Sequence, residues 1–158
     1  MKVISGGQTG VDRIGLEVAK IVGLKTGGTA AKGYLTEKGA DFTLKTEFGL
    51  KEAPESGYNY RTEMNVKDSD FTVIFGNLKS PGSLLTVNLC KKLKKPYKEN
   101  PTVGELVHEL KQRNVKILNI AGNRASRLTE EQMVSITNQL VKTFQKLIPI
   151  KISANGGS

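Results

Sequence analysis

KVISGGQTGVDR, residues 2–13, decides the fold: a short apolar strand around Val3 and Ile4 runs into a glycine-rich turn and then into a helix. Gly6, Gly7 and Gly10 carry no Cβ, so successive backbone N–H groups can point into one concavity. From Val11 onward, Val11, Ile14, Val18, Ile21 and Val22 recur at helical spacing, which sets the positive end of a helix beside the turn. A phosphate suits such a turn, and Gln8, Thr9, Asp12 and Arg13 add polar groups that a purely structural tight turn, the alternative reading, does not need. The stretch has neither the Lys-Ser/Thr end of a Walker loop nor the G-x-G-x-x-G of a dinucleotide fold.

Two further strand-turn-helix junctions follow. Residues 70–75, ending in FTVIF, read as a buried strand closed by Gly76 and the Pro81-Gly82 turn, with Gly82, Ser83 and Thr86 opening a helix that continues to about residue 93. A strand over 115–120 runs into AGNRASR, which supplies Gly122, Asn123, Arg124 and Arg127. Residues 58–67 read as a helix that carries Arg61 and Asn65, four apart, on one face. Thr102 with Glu105, and Thr129 with Gln132, have the spacing of capping boxes. The last helix lines up Met133, Ile136, Leu140, Phe144 and Leu147 and is expected to end at Pro149.

This alternation predicts a single-domain α/β fold over residues 1–150, a Rossmann-like parallel sheet with helices on both faces, followed by a flexible tail over 151–158. Right-handed crossovers bring successive strand carboxyl ends to one edge, so the junctions at 6–13, 80–86 and 122–127 are expected to converge there as a binding site. After a short strand candidate at 24–29, periodicity fails until residue 58. That gap, which contains Lys32-Gly33, reads as a lid or one wall of a pocket, with disorder as the alternative.

Composition narrows the function classes. The 158 residues suffice for one substantial core, and the absence of a long apolar run or a charged-then-apolar leader points to a cytoplasmic protein. Cys90 is the only cysteine and reads as a buried small hydrophobe; His108 is the only histidine and reads as a helix-surface residue. Ser-His-Asp and Cys-His chemistry and a cysteine-based zinc site are thereby disfavoured, and no metal ligands are assigned. With 24 Lys and Arg against 15 Asp and Glu, the net charge of +9 favours small phosphorylated partners. Nucleic acid is disfavoured, because the basic run at 91–98 has no stacking aromatics or recognisable module around it.

Three ordered motifs carry a family resemblance: SGGQTGVDR at 5–13, RTEMNVKDSD at 61–70 and NIAGNRAS at 119–126, with Lys32-Gly33 also in pattern. The chain resembles the molybdenum cofactor carrier proteins and their relatives in the circularly permuted branch of the SLOG superfamily of Rossmann-like folds. That resemblance implies a homo-oligomer, a dimer or tetramer, whose carrier members hold the pterin-based molybdenum cofactor, molybdopterin, in an anion-binding depression and pass it to an acceptor enzyme. It makes Gly6, Gly7, Gln8, Thr9, Gly10, Arg13, Lys32, Arg61, Gly82, Ser83, Thr86, Gly122, Asn123 and Arg124 the candidate binding shell. Met64 stands where relatives commonly have Trp, and Pro81-Gly82-Ser83 where Gly-Gly-Thr is usual.

The wider superfamily also resembles phosphoribohydrolases, which split a base from a ribose phosphate, so a nucleotide or plain phosphate is the alternative ligand and N-glycosidic hydrolysis the alternative activity. Such chemistry benefits from a placed carboxyl, and residues 82–90 contain none. Acid-base work would fall to Asp12, Glu63 or Asp68.

Overall fold

The computed structural model of the chain describes residues 1–57 and 59–148. Pro149 and the tail over 151–158 lie outside the described residues, as does Tyr58 at the expected start of a helix. The chain begins with β1 (Lys2–Ile4), α1 (Val11–Ile21) and β2 (Lys25–Gly27). An appendage of short pieces follows: β3 (Thr29–Ala30), a 3-10 turn (Lys32–Tyr34), β4 (Leu35–Thr36), β5 (Gly39–Ala40), α2 (Thr43–Thr46) and β6 (Lys51–Glu52). The chain then forms α3 (Asn59–Lys67), β7 (Phe71–Phe75), α4 (Pro81–Lys92), β8 (Tyr97–Glu99) and α5 (Val103–Gln112). It closes with β9 (Ile117–Gly122), a second 3-10 turn (Ala125–Arg127) and α6 (Glu130–Leu147).

The central sheet has the order β2-β1-β9-β7-β8, and every pair in it is parallel. Alternation along the strands sends Val3, Phe71, Val73, Phe75, Leu118 and Ile120 to one face, where they form a single core with the apolar stripes of α1, α5 and α6. The opposite face is covered by α3 and α4, whose Val66, Leu89 and Cys90 make a smaller cluster. This is the expected Rossmann-like architecture. The crossover after β1 leaves toward β2 and the crossover after β7 leaves toward β8, so β9 lies at the point where the winding reverses. A crevice outside the strand carboxyl ends opens at such a point.

Local signals set the helix ends. Thr102 and Thr129 form the capping boxes their spacing predicts, and Ser80 caps α4 by accepting from Ser83 N, with Pro81 in the first turn. Helix α1 has no side-chain cap; Gly10 precedes it at φ 81°, and Val11 N donates to Asn123 O at 3.0 Å.

The stretch expected to be a lid or one wall of a pocket, with disorder as the alternative, is ordered, and its Thr36, Lys38 and Asp41 line a pocket with Gly7, Thr9, Gly10 and Arg13. Ala30, Tyr34, Leu44, Phe48 and Leu50 form a second core with Leu16 of α1, and the Arg13 guanidinium lies 4.7 Å from the Phe48 ring centroid. Its strands are two residues long and pair β3 with β6 and β4 with β5, too short for a periodic pattern to be visible. His108 is exposed on α5 and Cys90 is buried under α4, as expected.

Glycine substitutions should separate packing from backbone strain. A Cβ on Gly10 would collide with the Asn123 carbonyl and the Ala125 N, so Gly10→Ala should cost more than about 3 kcal/mol or prevent folding. Gly23, at φ 85°, has nothing within 4 Å of such a Cβ, so Gly23→Ala should cost only about 1 kcal/mol. Urea denaturation of the two variants gives the comparison.

Candidate functional site

A cavity of about 300 Å³ opens over the carboxyl ends of β1, β9 and β7, between α3 and α4. All three glycine-containing junctions reach it. The first contributes Gly6, Gln8 and Asp12; the second Ser80, Pro81, Gly82, Leu85 and Thr86; the third Gly122, Asn123, Arg124 and Arg127. Helix α3 adds Arg61, Thr62 and Asn65, and β9 adds Asn119 and Ala121. Arg61 and Asn65 therefore share the cavity-facing side of α3, as their spacing predicts.

The first turn is not an open cradle. Gly7 N donates to Ser5 Oγ at 3.2 Å, Thr9 N to Gln8 Oε1 at 3.0 Å and Gln8 N to Asp12 Oδ2 at 3.3 Å. The N–H groups of Gly6 and Gly122 also serve the Asp12 carboxylate. The concavity expected to hold a ligand phosphate is thus occupied by a carboxylate of the protein itself. Burial, the largest effect, pushes Asp12 up to about 6, while Arg61 and then the surrounding N–H groups hold it down. Gly6 makes this pairing possible, since a Cβ there would lie 3.0 Å from Asp12 Oδ2 and 3.2 Å from Arg61 Nε.

Several candidate residues point elsewhere. Gly7, at φ 75°, would put a Cβ 2.8 Å from Leu44 and 3.0 Å from Leu50, so its role is contact with the appendage core. Gly10 is needed for close approach to residues 123–125. Arg13 turns away from the cavity, donating to Asp41 Oδ2 at 2.7 Å, Thr43 Oγ1 at 2.9 Å and Glu17 Oε1 at 2.9 Å. Thr9 faces outward, where its hydroxyl donates to Glu37 and accepts from Ala125 N at 3.1 Å. Lys32 is exposed on the appendage, Ser83 is buried in the first turn of α4 without reaching the cavity wall, and Glu63 and Asp68 are exposed outside the wall. No cluster of His, Cys, Asp and Glu among the described residues is suited to a metal ion.

Buried amides hold the wall in place. Asn65 exchanges two hydrogen bonds with the Thr29 backbone, at 2.8 and 2.9 Å, and so ties α3 to β3. Asn123 donates to Ser80 Oγ at 3.0 Å and to Asn77 O at 3.1 Å, joining the third junction to the second. Asn119, which motif reading passes over, donates to Thr72 Oγ1 at 3.2 Å beneath the cavity. A lone amide within the apolar run ILNIAG was the available signal. On the outer side Glu37, at the tip of the β4-β5 hairpin, accepts from Thr9 and from Ser126 N and Oγ, and lies 3.8 Å from Arg124 Nε. The Ser126 and Thr9 hydroxyls hold its pKa below the usual glutamate value.

Two stability measurements follow from these charges. A buried carboxyl raised from 3.8 to about 6 binds its proton more tightly folded than unfolded, so stability present below about pH 4 is lost as pH rises through about 6, by roughly 3 kcal/mol. Asp12→Asn should flatten that stretch of the curve in chemical denaturation. Glu37→Ala should lower stability by about 2 kcal/mol through loss of charge-assisted hydrogen bonds between the hairpin and the two junction loops.

Comparison with known proteins bears on the family and the fold. Residues 3–145 match the circularly permutated YpsA SLOG family. The chain is similar to a solved structure described as a putative molybdenum carrier protein from Syntrophus aciditrophicus SB, with 33% identity and a TM-score of 0.76 over 90% of this chain and 93% of that one. A second structure, the E-1-hydroxy-2-methyl-but-2-enyl-4-diphosphate reductase from Plasmodium falciparum, is 18% identical with a TM-score of 0.36 over 87% of this chain and 51% of that one, too distant to bear on function. No curated protein matches. With its three junctions on one sheet edge and the family's pattern running through nearly its whole length, the chain belongs to the circularly permutated YpsA SLOG family.

Proposed function

We propose that this protein binds a phosphate-bearing small molecule in the cavity at the strand carboxyl ends and returns it unchanged. The observation that carries this reading is the charge of the wall: Arg61, Arg124 and Arg127 line it with one acidic residue, Asp12, which has Arg61 beside it, while Arg124 also lies 3.8 Å from Glu37 on the outer side. Guanidinium forks match phosphate oxygens in a way that a mobile ammonium does not. The first turn of α4, open at Gly82, adds the positive end of a helix dipole. About 300 Å³ suits a phosphate with a compact heterocycle attached.

Similarity to a protein described as a putative molybdenum carrier supports the pterin-based molybdenum cofactor as the cargo. In this reading the protein is a cytoplasmic homo-oligomer, a dimer or tetramer, that hands the cofactor to an acceptor enzyme. No helix among the described residues is long and apolar enough to cross a membrane. Mass spectrometry of small molecules released from the purified protein should yield a pterin. Arg61→Lys and Arg124→Lys should each weaken binding of a phosphate ligand about tenfold in calorimetric titration. Unchanged affinity in both variants would remove the guanidinium groups from the site.

One observation favours hydrolysis of nucleoside monophosphates as a second reading. Asp12 is a cavity-wall carboxyl whose pKa burial raises to about 6, the direction a general acid needs. Steady release of free base from nucleoside monophosphates, reduced about a hundredfold or more in Asp12→Asn, would select the enzyme over the carrier.

A further inference from the structure

Asp12 is the single acidic side chain on a wall whose other charged groups are Arg61, Arg124 and Arg127. It is 7% exposed, and its carboxylate lies among the N–H groups of Gly6, Gln8 and Gly122 with the Arg61 guanidinium of α3 beside it. Among the described residues no other charged group contributes to this arrangement. Arg13 on the same helix is paired with Glu17 and Asp41, Glu37 is engaged on the outer face, Glu63 is exposed on α3, and the first turn of α4 has no acidic residue.

An oxyanion entering this cavity meets a buried negative charge at close range, where low dielectric makes the repulsion large. One proton removes the conflict. If Asp12 carries it, the carboxylic acid donates a hydrogen bond to the anion; if the anion carries it, the anion's O–H donates to the Asp12 carboxylate. We propose that the cavity binds its oxyanion together with one proton shared between that anion and Asp12, and so selects inorganic phosphate, whose dianion still carries a proton, over fully ionised sulfate. The inference rests on the anion-binding reading above and adds to it a proton and a rule of selection. Burial already raises the Asp12 pKa from 3.8 to about 6.

Sulfate and inorganic phosphate are the probes, titrated into the intact protein between about pH 5.5 and pH 8, with binding followed by calorimetry in two buffers of different ionisation enthalpy. Sulfate carries no proton in this range, so its affinity should fall about tenfold per pH unit above about pH 6.5, with uptake of about one proton per anion bound. Phosphate, as the hydrogen phosphate dianion, brings its own proton and should bind at least about tenfold more tightly than sulfate near pH 8 with little uptake. In Asp12→Asn the preference and the sulfate pH dependence should both disappear. The proton count on the unaltered protein decides the matter without a variant. Sulfate binding that is independent of pH, without proton uptake and as tight as that of phosphate, overturns the shared proton while leaving anion binding intact. Failure of both anions to bind at any pH overturns anion binding and the shared proton together.

Discussion

The architecture depends on one close backbone approach, between the turn that ends β1 and the loop that ends β9. Val11 N meets Asn123 O at 3.0 Å, and neither Gly10 nor Gly122 has room for a Cβ, Gly122 because Phe75 O and Val11 stand against it. Parallel pairing of β1 and β7 on either side of β9 brings these segments together, and the missing Cβ atoms let them close to hydrogen-bonding distance. Because α1 starts within this contact, its first turn carries Asp12 to the cavity wall and turns Arg13 the other way, toward the appendage. The same contact keeps Asn123 within reach of Ser80 and Asn77, so the second junction is positioned by the first through the third.

Electrostatics then sort the site into two parts. The first glycine turn has the shape of an anion nest, but its donors already serve Asp12, Ser5 and Gln8, whereas Arg61, Arg124, Arg127 and the α4 turn line the cavity. Buried polar groups are tolerated here because each amide has partners: Asn65 on Thr29, Asn119 on Thr72, Asn123 on Asn77 and Ser80. The appendage contributes from outside. Its hairpin tip puts Glu37 across the Thr9 and Ser126 loops and beside Arg124, so a segment that lines no part of the cavity still braces two of its walls.

Much of this was legible from local chemistry. The strand-glycine-helix pattern at residues 2–13, the buried FTVIF strand, the capping boxes at Thr102 and Thr129, and the α6 stripe each involve residues close in sequence, whose spacing reports backbone periodicity directly. Alternation of these elements was enough for the parallel sheet and for the convergence of three junctions on one edge. Where a glycine or arginine faces was not legible in the same way. Gly6, Gly7 and Gly10 look alike in the sequence, yet one flanks the Asp12–Arg61 pair, one packs on Leu44 and one abuts Asn123, because each faces a different distant segment. Arg13 and Arg61 likewise look equivalent until the appendage supplies Asp41 and Phe48 to the first and the cavity receives the second.

By itself, then, the sequence determined the fold class, the element order and the three loops that build the site, since these follow from contacts within a few residues and from the handedness of crossovers. Tertiary structure alone decided that residues 29–57 have a core of their own, that Asp12 fills the first turn, and which arginines line the cavity. The physical reason is range: helix and strand periodicity is written every two to four residues, whereas burial, desolvation and charge pairing depend on neighbours tens of residues away, such as Asp12 with Arg61 or Glu37 with Ser126.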